Sequence, residues 1–202
     1  MKPLYIREDA ESQRRHLSAV GRCLGRRGRL PGTFGSVSVR SGEAVLITAG
    51  GLDKRVMTPQ DVVMVDPFDG LPLTGEFEWP PEETALHLAL YRRLPDCGAV
   101  IHAQAPGRPD GSRPDAGLPV LPVATDPLDV SRLVEDVTAA LAPSASAAGT
   151  PPALLFRGNG LVTWGRDTDE ALGRLESADP LSHPLRADAV VDGATAARAD
   201  AR

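Results

Sequence analysis

Between Asp9 and Arg27, Leu17, Val20, Gly21 and Leu24 recur at the i, i+3, i+4, i+7 spacing with arginines on the opposite side, which predicts an amphipathic helix. Gly28, Pro31 and Gly32 end it. Two short β-rich runs, 36–40 and 44–48, flank Ser41-Gly42 and read as a hairpin. Thr58-Pro59-Gln60-Asp61 has the chemistry of a helix start, with Thr as N-cap, Pro at N1 and Asp at N3, and runs into an apolar strand over 62–66. A second helix is expected over 82–93, burying Leu86, Ala89 and Leu90, and Leu94-Pro95-Asp96 stops it before a buried strand at 98–102. A third helix is expected over 128–141. Strands at 153–157 and 161–164 should pair across Gly158-Asn159-Gly160. A last helix should begin near Thr168, with Thr168 and Asp169 as cap candidates, and end before Pro180. Residues 106–119 and 142–152 read as loops. Helices and strands that alternate around one sheet make an α/β, α+β-like fold in three layers. One domain is expected over 9–179, between flexible ends at 1–8 and 180–202.

Composition narrows the class. With 42% hydrophobic and 24% charged residues, a chain of 202 residues can bury a full core without disulfide or metal staples. Its apolar runs all fall short of the roughly 20 residues that span a bilayer, and the first residues lack the apolar stretch of a secretory signal, so a cytoplasmic address is expected. A net charge of −5 argues against nucleic acid as partner, because phosphate affinity needs a surplus of Lys and Arg. Cys23 and Cys97 are too few for a disulfide framework and read as small apolar residues in a reducing compartment.

Few residues carry recognisable chemistry. No CxxC, HExxH, GxGxxG or Walker loop is present. The most suggestive cluster is Glu82-Glu83 at a helix start beside the strand ending Ile101-His102-Ala103-Gln104. A helix N-terminus favours carboxylates by about 0.3–1 kcal/mol in any case. Strand alternation puts His102 and Gln104 on one face, a polar pair that calls for an explanation. His87, at i+4 from Glu83, either pairs with it or packs at the helix surface. Trp79 and Trp164 are expected in the core or a pocket wall, and Lys54 and Arg55 offer anion contacts unless they lie in a solvated turn.

Three ordered blocks resemble the class II aldolase/adducin family. They are GTFGSVSVR with LITAGGLDKRVMTPQDVVMVD, PPEETALHLALYRRLPDCGAVIHAQAP, and LLFRGNGLVTWGRDTDEAL. The resemblance covers residues 10–178 and implies a central, mostly antiparallel sheet flanked by helices. It also implies a zinc-like divalent ion held by two histidines of a His-x-His strand and a third in an Arg-Asn-His-Gly turn. The glutamate of the intervening helix start is then the acid/base, a phosphate sits among the glycine-rich turns, and the subunits form a fourfold ring.

Carried over position by position, the resemblance places Glu83 at the acid/base and His102 at the first histidine. Gln104 and Asn159 occupy the second and third histidine positions. An amide is a weak zinc ligand, and replacing two imidazoles lowers affinity by on the order of 5 kcal/mol. No tightly bound cofactor is therefore expected, at most a weak zinc-like divalent ion. In the phosphate pocket Ser36 replaces Asn, Gly50 (beside Gly51) replaces Thr or Ser, and Pro81 and Glu82 replace paired serines, with Glu82 repelling a phosphate.

The expected activity is that of a lyase working next to a carbonyl, by dehydration, retro-aldol cleavage or decarboxylation, on a small non-phosphorylated substrate. Glu83 and His102 would be catalytic, while Gln104, Asn159, Ser36, Gly50, Gly51 and Glu82 bind substrate. The expected partners are a small-molecule carbonyl substrate and further copies of the chain in a homo-oligomer (a tetramer by the resemblance), with no nucleic acid and no membrane. The alternative is a non-catalytic, adducin-like protein kept for binding or assembly.

Overall fold

The computed structural model describes residues 5–73, 75–104, 120–121, 130–142, 153–156 and 160–178. Along the chain these form α1 (Ala10–Arg26), β1 (Ser36–Ser41), β2 (Ala44–Thr48), β3 (Val62–Val65), α2 (Thr84–Arg93), β4 (Ala99–Ala103), β5 (Val120–Leu121), α3 (Val130–Ala140), β6 (Ala153–Phe156), β7 (Gly160–Gly165) and α4 (Thr168–Ala178). The strands make one sheet in the order β3-β2-β1-β4-β7-β6-β5. Every neighbouring pair is antiparallel except β5 and β6.

Strands β2, β3 and β6 read as largely apolar runs because both sheet faces are covered, while β1 (SVSVRS) alternates. Alternation splits them into two cores. Val37, Val39, Leu46, Ile101, Ala103 and Leu161 pack with α1 and α4, and Val45, Ile47, Val63, Val100, Val162 and Trp164 pack with α2 and α3. Each such side chain, fully buried, contributes about 1.5–3 kcal/mol. The same alternation fixes the polar residues. Ser36 lies opposite His102 across the β1–β4 pair, and Val162 flanks His102 on the other side, so Ser36 and His102 face the α2 layer. Among the described residues no helix is long and apolar enough to cross a membrane.

Several expectations shift. Thr58–Asp61 does start helically, with the Asp61 carboxylate accepting from the Thr58 N–H (2.7 Å) and hydroxyl (2.8 Å), but it makes only the single 3-10 turn Pro59–Asp61. The β-branched run that follows joins the sheet instead. At α4 the cap is Asp167, whose Oδ1 accepts from the Glu170 N–H at 2.9 Å. Thr168 is already helical, and its hydroxyl meets His16 Nε2 at 2.7 Å. Trp164 is buried as expected, whereas Trp79 is 69% exposed. Lys54 does not lie in a solvated turn but is wholly buried, while Arg55 is exposed and pairs with Asp53. Strand β5 had no sequence signal. The expected loop at 106–119, residues 143–152 of the second loop, the tail from 180, His183 and Asn159 lie outside the described residues.

Candidate functional site

Pro81 and Glu82 lead into α2, and Glu83 is its N-cap residue, its side chain making no cap hydrogen bond. The carboxylate points to the sheet instead, where Oε1 lies 3.5 Å from His102 Nδ1. The Glu83 side chain is 26% exposed and that of His102 5%, so the pair sits at a mouth with the carboxylate outermost. Burial on its own would raise the Glu83 carboxyl. The hydrogen bond to His102 and the charge interaction with it outweigh burial and hold the group at about 2. Glu83 is thus a carboxylate at neutral pH, the form a base requires.

His102 is wedged from two further sides. The Phe34 ring is tilted against it, 5.1 Å between centroids. Gly160 passes so close that a Cβ there would stand 2.7 Å from His102 Nε2 and 2.7 Å from the Ala103 carbonyl oxygen. Its φ of 154° also lies where side chains are rarely found. Gly160→Ala should therefore push the imidazole off Glu83. The expected result is a His102 ring displaced in a crystal structure of the variant and a loss of about 1–3 kcal/mol of stability by denaturant unfolding.

Behind His102 lies a buried polar network. The Ser36 hydroxyl is 3.0 Å from His87 Nε2, the Ser38 hydroxyl 2.7 Å from His87 Nδ1, and Tyr91 OH 2.8 Å from the Ser38 hydroxyl. The His87 ring is not at the helix surface and bonds the two serines rather than the Glu83 carboxylate, although its backbone N–H donates to the Glu83 carbonyl at 3.2 Å. Its i+4 position turns it inward, where the two serines saturate both ring nitrogens. A neutral imidazole donates from one nitrogen and accepts at the other, which suits two hydroxyls. Burial, reinforced by the charge of His102 and opposed by Glu83, lowers His87 to about 3.

The remaining candidates divide. Gly50 belongs to the site wall, since a Cβ on it would lie 3.0 Å from the Pro81 Cα and its N–H donates to the Trp79 carbonyl at 2.9 Å. Gly51 has φ +70° and is exposed. Glu82 is exposed at the helix start. Strand β4 ends at Ala103, so Gln104 does not share a strand face with His102. It is exposed, and its N–H donates to the Arg29 carbonyl at 2.8 Å. Sequence reasoning missed Phe34 and Gly160, and it named Lys54 only as an anion contact or part of a solvated turn, not as a buried residue. Phe34 and Gly160 lie inside quoted motif blocks, but only the chain crossing shows them touching His102.

The donor set bears on a metal. Among the described residues no three His, Cys, Asp or Glu side chains converge. Glu83 and His102 supply one carboxylate and one imidazole, which does not match the three-imidazole set the resemblance implies for zinc.

Comparison with known proteins places this geometry. The profile described as Class II Aldolase and Adducin N-terminal domain matches residues 15–107. A methylthioribulose-1-phosphate dehydratase from Acidiphilium cryptum is 31% identical over 83% of this chain and 87% of its own length. A probable bifunctional methylthioribose-1-phosphate isomerase/methylthioribulose-1-phosphate dehydratase from Nocardia farcinica is 33% identical over 79% of the chain, which spans only 33% of that larger protein. Among solved structures, YgbL from Escherichia coli, a putative aldolase/epimerase/decarboxylase, superposes with a TM-score of 0.66 at 23% identity, covering 89% of this chain and 94% of its own. L-fuculose-1-phosphate aldolase from Thermus thermophilus gives 0.59 at 23%, covering 82% and 88%. At those identities the structures establish the fold. With a relative above 30% identity aligned along most of its length as well, the chain belongs to the class II aldolase and adducin family.

Proposed function

We propose that this protein is a lyase that removes water next to the carbonyl of a small polyhydroxy substrate. The carrying observation is the ionised, partly exposed Glu83 carboxylate held 3.5 Å from the buried His102 ring. Dehydration is supported by relatives named as dehydratases, aligned over most of this chain.

In the proposed reaction the Glu83 carboxylate takes the proton from the carbon beside the carbonyl. The C–H electrons move toward the carbonyl oxygen to give an enolate, and they then return to expel the hydroxyl on the next carbon, which leaves as water with a proton delivered by the His102 ring. The products are water and an enol that reverts to a ketone. The amide of Asn159 is assigned to the carbonyl oxygen, where charge develops. Gly50 and Gly51 are assigned to the wall, while Ser36, buried against His87, holds that ring rather than substrate. A tightly held zinc is not part of this reading, because its donor set is one imidazole and one carboxylate with amides in reserve. A weak divalent ion at Glu83 and His102 would add Lewis-acid polarisation of the carbonyl.

The reading extends to a substrate without phosphate. The Ser36 hydroxyl is engaged with His87 inside the protein, and Glu82 puts a second negative charge at the helix start. Relatives named for a sugar 1-phosphate favour the phosphorylated alternative. The proposal includes a cytoplasmic homo-oligomer, for which Phe68, Phe77 and Trp79, at 85%, 97% and 69% exposed, offer an apolar surface.

One experiment separates these readings. Untagged protein is analysed for bound metal and then assayed with methylthioribulose 1-phosphate and with its dephosphorylated counterpart. The expected result is well under one zinc per chain and faster dehydration of the dephosphorylated ketose. One firmly held zinc per chain overturns the metal reading, and turnover of the phosphate ester alone overturns the substrate reading.

A further inference from the structure

Lys54 has no part in the chemistry above, yet its side chain is wholly buried, a setting rare for lysine. The ammonium is satisfied by backbone. Nζ donates to the carbonyls of Ala49 at 2.8 Å and Leu52 at 3.2 Å. The segment between them, which contains Gly50 and Gly51, is drawn into an arch over the cation. The backbone N–H of Lys54 donates at 3.3 Å to the Gly32 carbonyl, in the glycine turn leading to β1.

The outer side of that arch bears on the catalytic helix. Gly50 lies against Pro81 so closely that a Cβ would come 3.0 Å from the proline Cα and 3.3 Å from its nitrogen. The Pro81 carbonyl accepts from the Thr84 N–H at 3.0 Å and from the Thr84 hydroxyl at 2.6 Å, closing the turn that contains Glu83. A continuous set of contacts thus runs from the buried ammonium through Ala49–Leu52 and Pro81 to Glu83. A charged donor holds two converging carbonyl oxygens more strongly than a neutral one.

We propose that Lys54 is a positioning residue: its buried ammonium shapes the Gly50–Gly51 arch, which in turn seats Pro81 and sets the Glu83 carboxylate against His102. This inference rests on Glu83 being the base, but its structural half is testable without any substrate.

Lys54→Met keeps the aliphatic stem and removes the donors. By NMR hydrogen exchange, the Gly50 amide should exchange at least about tenfold faster while Ile101 and Val162 keep their wild-type rates, as expected of a local opening. In dehydration assays kcat should fall about tenfold with KM little changed, the signature of a misplaced base rather than lost binding. Gly50→Ala pushes the arch off Pro81 from the other side. It should reproduce both effects, and the double variant should be no worse than the worse single one. A uniform rise in exchange across the sheet, additive kinetic effects, or unchanged Gly50 exchange would each overturn the proposal. Should Lys54→Met fail to fold, the wild-type protein still decides: a buried, carbonyl-bonded ammonium gives a slowly exchanging Lys54 Nζ signal, and its absence overturns the inference. Absence of turnover by any wild-type preparation would instead sink the lyase reading and leave the exchange result to judge Lys54.

Discussion

Glu83→Gln lowers the dehydration rate by about 10³-fold, in the middle of the 10²–10⁴ range of a positioned proton-transfer group, and leaves the fold intact. The carboxamide has the same shape but no basic oxygen at neutral pH. The substitution leaves α2 its N-terminal hydrogen bonding, because the Glu83 side chain caps nothing. What folding loses is the ionised partner of His102. With the Glu83 pKa depressed to about 2, its contribution to stability is present above the ordinary carboxylate pKa near 4.5 and disappears as pH falls toward 2. The variant should thus be slightly less stable than wild type at pH 7 and lose that deficit in acid. Steady-state kinetics with chemical denaturation at both pH values measures both effects. Activity within threefold of wild type would remove Glu83 as the base. A wild-type protein inert toward every carbonyl substrate, yet stably assembled, would favour the adducin-like alternative.

His87→Phe destabilises the protein by about 1–3 kcal/mol, since it strands the Ser36 hydroxyl in a buried layer and leaves the Ser38 hydroxyl with Tyr91 alone. It should also change the response to acid. The His87 pKa is depressed to about 3 in the folded protein against about 6.5 unfolded, so between those values the unfolded chain binds one more proton. The stability from the neutral ring is therefore complete above about pH 6.5 and drains at up to about 1.4 kcal/mol per pH unit as pH falls toward 3. His87→Phe abolishes that slope. Urea unfolding at pH 7, 6 and 5 for both proteins decides it, and parallel pH curves would show that His87 is not the buried neutral imidazole described here.

The two histidines show how far pattern reading reaches. His102 was legible as a site residue because a polar side chain near the end of an apolar strand, opposite a glutamate at a helix start, is a local anomaly. His87 was not, because i+4 spacing places it on the Glu83 side of α2 but leaves open which way that side turns. Only the packing of α2 over β1 turns it toward Ser36 and Ser38, residues about fifty positions away. Lys54 misleads for the same reason. A glycine-rich turn with two basic residues reads as solvated, and the three-dimensional crossing of the Ala49–Leu52 arch over Nζ is what buries it. Gln104 errs the other way. Strand alternation extended one residue too far, and β4 ends where the chain meets Arg29.

The sequence by itself determined most of the elements, though not β5, together with the three-layer class, the family resemblance and the carboxylate–imidazole pair. Each of these depends on periodicity, turn chemistry or residue spacing that survives in one dimension. The tertiary structure alone decided which polar residues face the crevice and which face the core. It ionised Glu83, kept His87 neutral, and set Phe34 and Gly160 against His102. Those outcomes depend on burial and on contacts between distant segments, and the free energy of a charge is set by what surrounds it rather than by its neighbours along the chain.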